Sequence, residues 1–243
     1  MSDAFDWGAL EALLFDLDGV LTPTAELHMK AWSEMFNAYL ETIPGQAPYT
    51  DDDYFAYVDG KPRYDGVRDF LTSRGIQLPF GTPDDAPVQE TVCGLGNRKN
   101  DAFNYVLARD GIAPYPGSLR LLEAVDGKMK LAVVSSSKNA RTVLDAAGLT
   151  HFFPVVVDGV VAAQQGLPGK PAPDTFLYAA AQLGVAPEFA VVLEDAISGV
   201  AAGAAGDFST VIGVDRGVGA PALREAGAHL VVSDLGVLAG DAR

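Results

Sequence analysis

The sequence predicts an α/β protein, a doubly wound parallel-sheet core carrying an inserted α-helical domain. Three observations predict this class. Short Val-rich runs alternate with amphipathic helical stretches after Tyr115-Pro116-Gly117, the pattern of parallel strands covered on both faces. Polar residues suited to a phosphate or a cation follow several of those runs, as at the edge of an open sheet. The first apolar run, Ala12 to Phe15, is separated from the rest by a helical stretch, so that stretch interrupts the core and is joined to it by two connections.

The first strand stops at Asp16-Leu17-Asp18-Gly19. A helix follows from Thr24, a plausible N-cap, to about Leu40. From Pro44 to Pro87 the pattern loosens around a helical segment near Tyr64 to Ser73, and a further helix is expected from roughly Asn97 to Arg109. The core then resumes with strands at Leu131 to Val134, Val155 to Val157, Ala190 to Leu193, Val211 to Val214 and Leu230 to Val232. Helices are expected at Asn139 to Ala147, Pro173 to Leu183, Ala196 to Ala205 and after Pro221. The expected division is 1–23 with 112–243 as the core and 24–111 as the helical insertion.

Bulk composition narrows the function. At 243 residues, with 49% hydrophobic and 20% charged, the chain can bury a large core. Its formal charge of −15, from 32 acidic and 17 basic residues, has the wrong sign for nucleic acid or an anionic membrane. A small phosphorylated substrate remains compatible, because a few focused cations and a metal outweigh a remote negative surface. The single cysteine, Cys93, excludes an internal disulfide and fits a reducing compartment. No basic run precedes an apolar stretch at the N-terminus, and the longest apolar stretch, Phe152 to Ala163, is too short to cross a bilayer, so a cytoplasmic protein, taken to be a monomer, is expected.

The strand ends carry the chemistry. Asp16 and Asp18 follow the first strand, Ser135-Ser136-Ser137-Lys138-Asn139 the second, Glu194-Asp195 a later one, and Gly169-Lys170-Pro171 lies in a loop. Parallel strand ends share one sheet edge, so these groups should converge. A cluster of Asp16, Asp195 and backbone oxygen suits Mg²⁺, and no His/Cys set competes. With the metal and Lys170 neutralising a phosphate, the Asp16 carboxylate can attack phosphorus. Asp18 can then shuttle protons to the leaving oxygen and from the incoming one. Ser135 and the amides after it, at the start of the next helix, should offer donors and a favourable dipole to the phosphoryl oxygens. Taken singly, each motif reads equally as an Asx-turn, a helix cap or a surface turn; their ordered co-occurrence at strand ends is what points to phosphoryl transfer.

Phe15-Asp16-Leu17-Asp18-Gly19-Val20-Leu21-Thr22, Ser135, Lys170 and Glu194-Asp195 resemble the four signature motifs of the haloacid-dehalogenase superfamily. The resemblance spans nearly the whole chain, and implies a Rossmann-like core whose helical insertion is a cap that closes over the active site. Thr24 to Trp32 is similar to the opening of the cap in the β-phosphoglucomutase-like subfamily, as are Gly60 with Arg63, Arg98-Lys99-Asn100-Asp101, Ser135 to Asn139 and Gly169 to Asp174. By that resemblance Asp16 is phosphorylated and Asp18 is the general acid/base. Asp16, Asp195 and the Asp18 carbonyl hold Mg²⁺ with support from Glu194, and Ser135 and Lys170 hold the transferring phosphate. Gly60, Arg63, Ser136, Ser137, Lys138 and Asn139 fall to substrate binding, Arg63 and the last three as the grip on a second phosphate. His28, Trp32 and Lys99 shape the sugar site, with cap core as the lesser alternative for Trp32 and a solvated helix residue as the lesser alternative for His28.

Departures from that pattern fall in the substrate-selecting half. Pro23 stands in the hinge, Lys61-Pro62 replaces a small apolar residue and Ser, Gly66 replaces a Ser, and Gly75 to Gly94 looks longer than in a minimal cap. The expected activity is a mutase interconverting β-glucose 1-phosphate and glucose 6-phosphate through a bisphosphate. The alternatives are a sugar-phosphate phosphatase, in which water resolves the aspartyl-phosphate, a non-catalytic binding protein, and a haloacid dehalogenase proper.

Overall fold

The computed structural model describes residues 7–58, 61 and 63–240. The chain divides into two compact units, one made of residues up to Pro23 and from Ile112 onward, the other of Thr24–Gly111.

In the helical unit, α1 (Thr24–Leu40) is followed by α2 (Asp51–Asp53), which runs into one π turn at Tyr54–Val58, then by α3 (Arg63–Ser73) and α4 (Val92–Asp110). Apolar residues of α1 at helical spacing, Trp32, Met35, Phe36 and Tyr39, meet Tyr49, Phe70 and Leu95 in an aromatic core. Phe36 and Phe70 meet at its centre with ring centroids 4.2 Å apart and planes tilted by 51°. Helix α4 begins at Val92 rather than near Asn97, because the Thr91 hydroxyl caps it by accepting the Gly94 amide at 2.9 Å. Gly94 and Gly96 disguise that first turn in the sequence. The long stretch before it is laced onto α4, where Asn97 and Arg98 donate to the Asp85 and Pro87 carbonyls.

The other unit is built on β1 (Ala12–Phe15), α5 (Pro116–Val125), β2 (Lys130–Val134), α6 (Ala140–Ala146), β3 (Val155–Val157) and α7 (Gly159–Gln165). It continues with α8 (Asp174–Leu183), β4 (Ala190–Glu194), α9 (Ile197–Ala205), β5 (Thr210–Val214), α10 (Ala220–Glu225), β6 (Leu230–Val232) and α11 (Gly236–Ala239). All six strands are parallel in the order β3-β2-β1-β4-β5-β6, flanked by helices. Alternate residues Ala12, Leu14, Ala132, Val134 and Val192 face the side on which Phe176 of α8 and Val200 of α9 pack.

Besides the short α2 and α11, two helices escape the sequence pattern for local reasons. Pro116 opens α5 at a first-turn position, where its missing N–H costs nothing. Asp158 does not merely interrupt an apolar run: its carboxylate caps α7, accepting the amides of Val160 and Val161 at 3.0 and 2.9 Å. The sheet order reverses between β1 and β4, the place where open α/β sheets bind ligands at strand C-termini.

Candidate active site

Four segments meet at that reversal. Asp16 follows β1 and donates its amide to Leu193 of β4, while Ser135 follows β2 and donates to Val157 of β3. Asp16, Ser135 and Glu194 are buried, at 6%, 4% and 1% exposure. Burying charge here requires partners, and Lys170 supplies them. Its Nζ donates to Asp16 Oδ1 at 2.5 Å, Glu194 Oε1 at 2.7 Å and the Val134 carbonyl at 3.0 Å. Three acceptors therefore take the three protons of one ammonium.

Ser135 joins the cluster by donating its hydroxyl to Asp18 Oδ2 at 3.2 Å. Asp195 reaches the same loop because residue 19 lacks a side chain: a Cβ there would stand 1.9 Å from Asp195 Oδ2, and the backbone φ of +87° is itself unfavourable for other residues. Gly199 of α9 performs the same service for Glu194, since a Cβ at that position would lie 1.7 Å from Oε1. Neither glycine was singled out in the sequence, although each follows an acidic motif at a short fixed interval.

The charge balance is lopsided. Burial, against the pull of Lys170 and reinforced by Glu194, Asp18 and Asp195, drives the Asp16 carboxyl well above the ordinary range. Burial and Glu194 likewise push Asp195 up to about 7. Burial opposes the charge on Lys170, but Asp16 and Glu194 outweigh it and keep the ammonium protonated. Four carboxylates facing one ammonium are short of positive charge, and their oxygens are the hard donors that Mg²⁺ prefers. Among the described residues no three His, Cys, Asp or Glu side chains form a ready-made cage.

Glu194 is engaged at both oxygens, Oε1 by Lys170 and Oε2 by the Ala196 amide at 2.7 Å. One expectation is corrected. The helix after Ser135 begins only at Ala140, and the amides of Ser137 and Asn139 are taken by the hydroxyls of Ser135 and Ser137 at 3.1 Å each. The serine run is thus a pair of consecutive hydroxyl-closed turns rather than a helix N-terminus. It leaves Ser136 and Lys138 exposed beside the cluster.

In the helical unit, α1, α3 and α4 bring together His28, Arg63 and Lys99. Lys99, 5% exposed, places Nζ 2.6 Å from His28 Nδ1 and about equally above the rings of Trp32 and Phe103, at 5.1 and 5.2 Å. His28 stacks on Phe103 with centroids 4.5 Å apart, so it is no solvated helix residue. Burial, Lys99 and Arg63 together hold its imidazole down to about 3. Arg63 donates to the Asn100 side-chain carbonyl at 3.0 Å, a neutral partner. Trp32, at 5% exposure, belongs to the aromatic core, so the structure gives it the packing role and seats Lys99 on its face. Lys61 pairs with Asp69 of α3 at 2.8 Å, while Gly60 and Pro62 lie outside the described residues.

A buried Asp-Lys-Glu cluster with two further aspartates, set at the switch point of a parallel sheet, defines an enzyme of phosphoryl transfer, mutase-like or phosphatase-like. The chain belongs to the haloacid dehalogenase-like hydrolase family, whose sequence pattern matches residues 10–207, and within it to the β-phosphoglucomutase-like subfamily. It is 52% identical to a β-phosphoglucomutase of Mycobacterium bovis, over 94% of this chain and 91% of the relative. It is 31% identical to a fructose-1-phosphate phosphatase of Escherichia coli, over 82% of this chain and 94% of that protein. The crystal structure of a β-phosphoglucomutase from Clostridium difficile superposes with a TM-score of 0.68 at 26% identity, covering 94% of this chain and 93% of the other.

Proposed function

We propose that the protein is a Mg²⁺-dependent mutase that interconverts β-glucose 1-phosphate and glucose 6-phosphate through an aspartyl-phosphate on Asp16 and a sugar bisphosphate. The Mg²⁺ would be held by Asp16, Asp195 and the Asp18 carbonyl, with Glu194 supporting through Lys170, and would supply positive charge to the transferring phosphoryl group. The single observation that carries the mutase reading is the grouping of Arg63, Lys99 and a neutral His28 in the helical unit. A second phosphate on the substrate would need a cationic grip of its own. The 52% identity to a β-phosphoglucomutase, which extends through this unit, supports the same reading.

The chain's own residues perform the steps. Asp16 attacks the C1 phosphorus of the bisphosphate, and the bond from phosphorus to the sugar oxygen breaks as Asp18 gives that oxygen its proton, releasing glucose 6-phosphate. Lys170 and Ser135 hold the phosphoryl oxygens while charge builds on them. In the second half Asp18 takes the proton of the C6 hydroxyl of β-glucose 1-phosphate, whose oxygen attacks the phosphorus held on Asp16, regenerating the bisphosphate and freeing Asp16. Arg63, with Ser137, Lys138 and Asn139, grips the phosphate that is not transferring. Water must be kept from Asp16 between the two halves, and the helical unit would serve as the cap that does so. A phosphatase, in which water replaces the second hydroxyl, is the reading favoured by the 31% identity to a fructose-1-phosphate phosphatase.

Incubation with β-glucose 1-phosphate, Mg²⁺ and a trace of the bisphosphate separates the two. Glucose 6-phosphate as the main product supports the mutase. Stoichiometric free phosphate and glucose would overturn it in favour of the hydrolase.

A further inference from the structure

The loop that carries Asp18 is held by a side chain from the far end of the chain. Arg216 stands just beyond β5, where Asp215 closes a tight loop by accepting the amides of Gly217 and Gly219 at 2.9 and 3.0 Å on one carboxylate oxygen. From that anchor Arg216 Nε donates to the Gly19 carbonyl at 2.8 Å and Nη1 to the Ser233 carbonyl at 3.0 Å. Its guanidinium lies over the ring of Tyr115, with Cζ 3.7 Å from the centroid. Nη2 is buried with no hydrogen-bond partner among the described residues. A guanidinium that leaves a buried donor unmade is a poor choice for packing alone.

Arg216 is one of three clamps on consecutive carbonyls. Gly19 accepts from Arg216, Val20 from Ser118 Oγ at 2.6 Å, and Leu21 from the Tyr115 amide at 2.9 Å. The turn is also closed on itself, with the Gly19 amide on the Thr22 carbonyl at 2.9 Å and the Leu21 and Thr22 amides on Leu17 at 3.0 Å. Of the three clamps, only Arg216 bears on the residue next to Asp18. Gly19 is also the residue over which Asp195 packs, so its peptide orientation sets both neighbours.

We infer that Arg216 is a positioning residue for the proton shuttle, fixing the Gly19–Val20 peptide and, through Gly19, the placement of Asp18, so that the Asp18 carboxyl meets the leaving oxygen. The inference rests on Asp18 acting as general acid. Proton donation matters for a sugar alkoxide and not for a leaving group that departs as a stable anion. A misplaced Asp18 therefore slows one and spares the other, whereas general structural damage slows both.

The test compares single-turnover rates, with enzyme in excess and Mg²⁺ present, for phosphoryl transfer from the sugar bisphosphate to Asp16 and for p-nitrophenolate release from p-nitrophenyl phosphate. Arg216→Gln should slow the sugar phosphate roughly tenfold to a hundredfold and p-nitrophenolate release by less than about threefold, since a displacement of about an ångström costs on that order. Arg216→Lys, which keeps one donor and the charge, should fall between. Equal losses on both substrates, or no loss, overturn the inference. Asp18→Asn is the companion. If it slows both substrates alike, the proton-shuttle reading falls and the inference with it. If it discriminates between them while Arg216→Gln does not, the inference alone falls.

Discussion

Lys99 Nζ lies 2.6 Å from His28 Nδ1, so His28 meets an ammonium through its lone pair and carries its own proton on Nε2. Burial, then Lys99, then Arg63 depress its pKa to about 3. Histidine NMR should show His28 neutral from pH 8 to about pH 4, as the Nε2–H tautomer. Lys99→Met should move its titration upward, towards 6.5. Titration near 6.5 in the unaltered protein would contradict the arrangement.

The same pair makes stability depend on pH. Between about 3 and 6.5 the unfolded chain binds a proton at His28 that the folded chain does not, so stability is complete above 6.5 and falls as pH drops towards 3. The loss from this site is on the order of a few kcal/mol. Urea unfolding at pH 7 and pH 4 should show a smaller acid-induced loss in His28→Gln than in the parent. Equal losses would assign the acid sensitivity to other groups.

Lys170 satisfies three acceptors at 2.5, 2.7 and 3.0 Å, a spacing that suits an ammonium and not the larger planar guanidinium. Lys170→Met should lower kcat by roughly a thousandfold or more, because it removes the charge beside the reacting phosphoryl group and leaves two buried carboxylates unpaired. Lys170→Arg should recover little. Recovery to within tenfold of the parent would show that charge alone matters at this position.

At Gly19 a methyl group meets Asp195 Oδ2 at 1.9 Å on a backbone already at φ +87°. Gly19→Ala should displace Asp195 and raise the Mg²⁺ concentration for half-maximal activity by roughly tenfold or more, an effect of about 1.4 kcal/mol. The Mg²⁺ dependence of turnover measures this directly, and chelation of the metal should abolish turnover in both proteins. An unchanged Mg²⁺ dependence would remove Asp195 from the metal site.

What the sequence revealed depended on distance along the chain. Asp16, Asp18 and Glu194-Asp195 were legible because each directly ends a run of buried apolar residues, so the strand and its chemistry are read together. Arg216 was not, because it acts on Gly19 across 197 positions and no local pattern marks it. The exact onset of α4 hid behind Gly94 and Gly96, and α5 behind Pro116-Gly117, where residues that usually break helices sit at a helix start. The dipole expected after Ser135 failed for a related reason. Serine hydroxyls hold the following amides in turns just as readily as they cap a helix.

The Asp16 carboxylate, held by Lys170 at 2.5 Å, is the centre of the proposed chemistry. Brief incubation with Mg²⁺ and substrate, quenching, borohydride reduction and peptide mass spectrometry would read it most directly, since an acyl phosphate is reduced to the alcohol. Homoserine at position 16, dependent on substrate and absent without it, is the expected result. An unmodified Asp16 under turnover, or label at Ser135 in its place, would contradict the account.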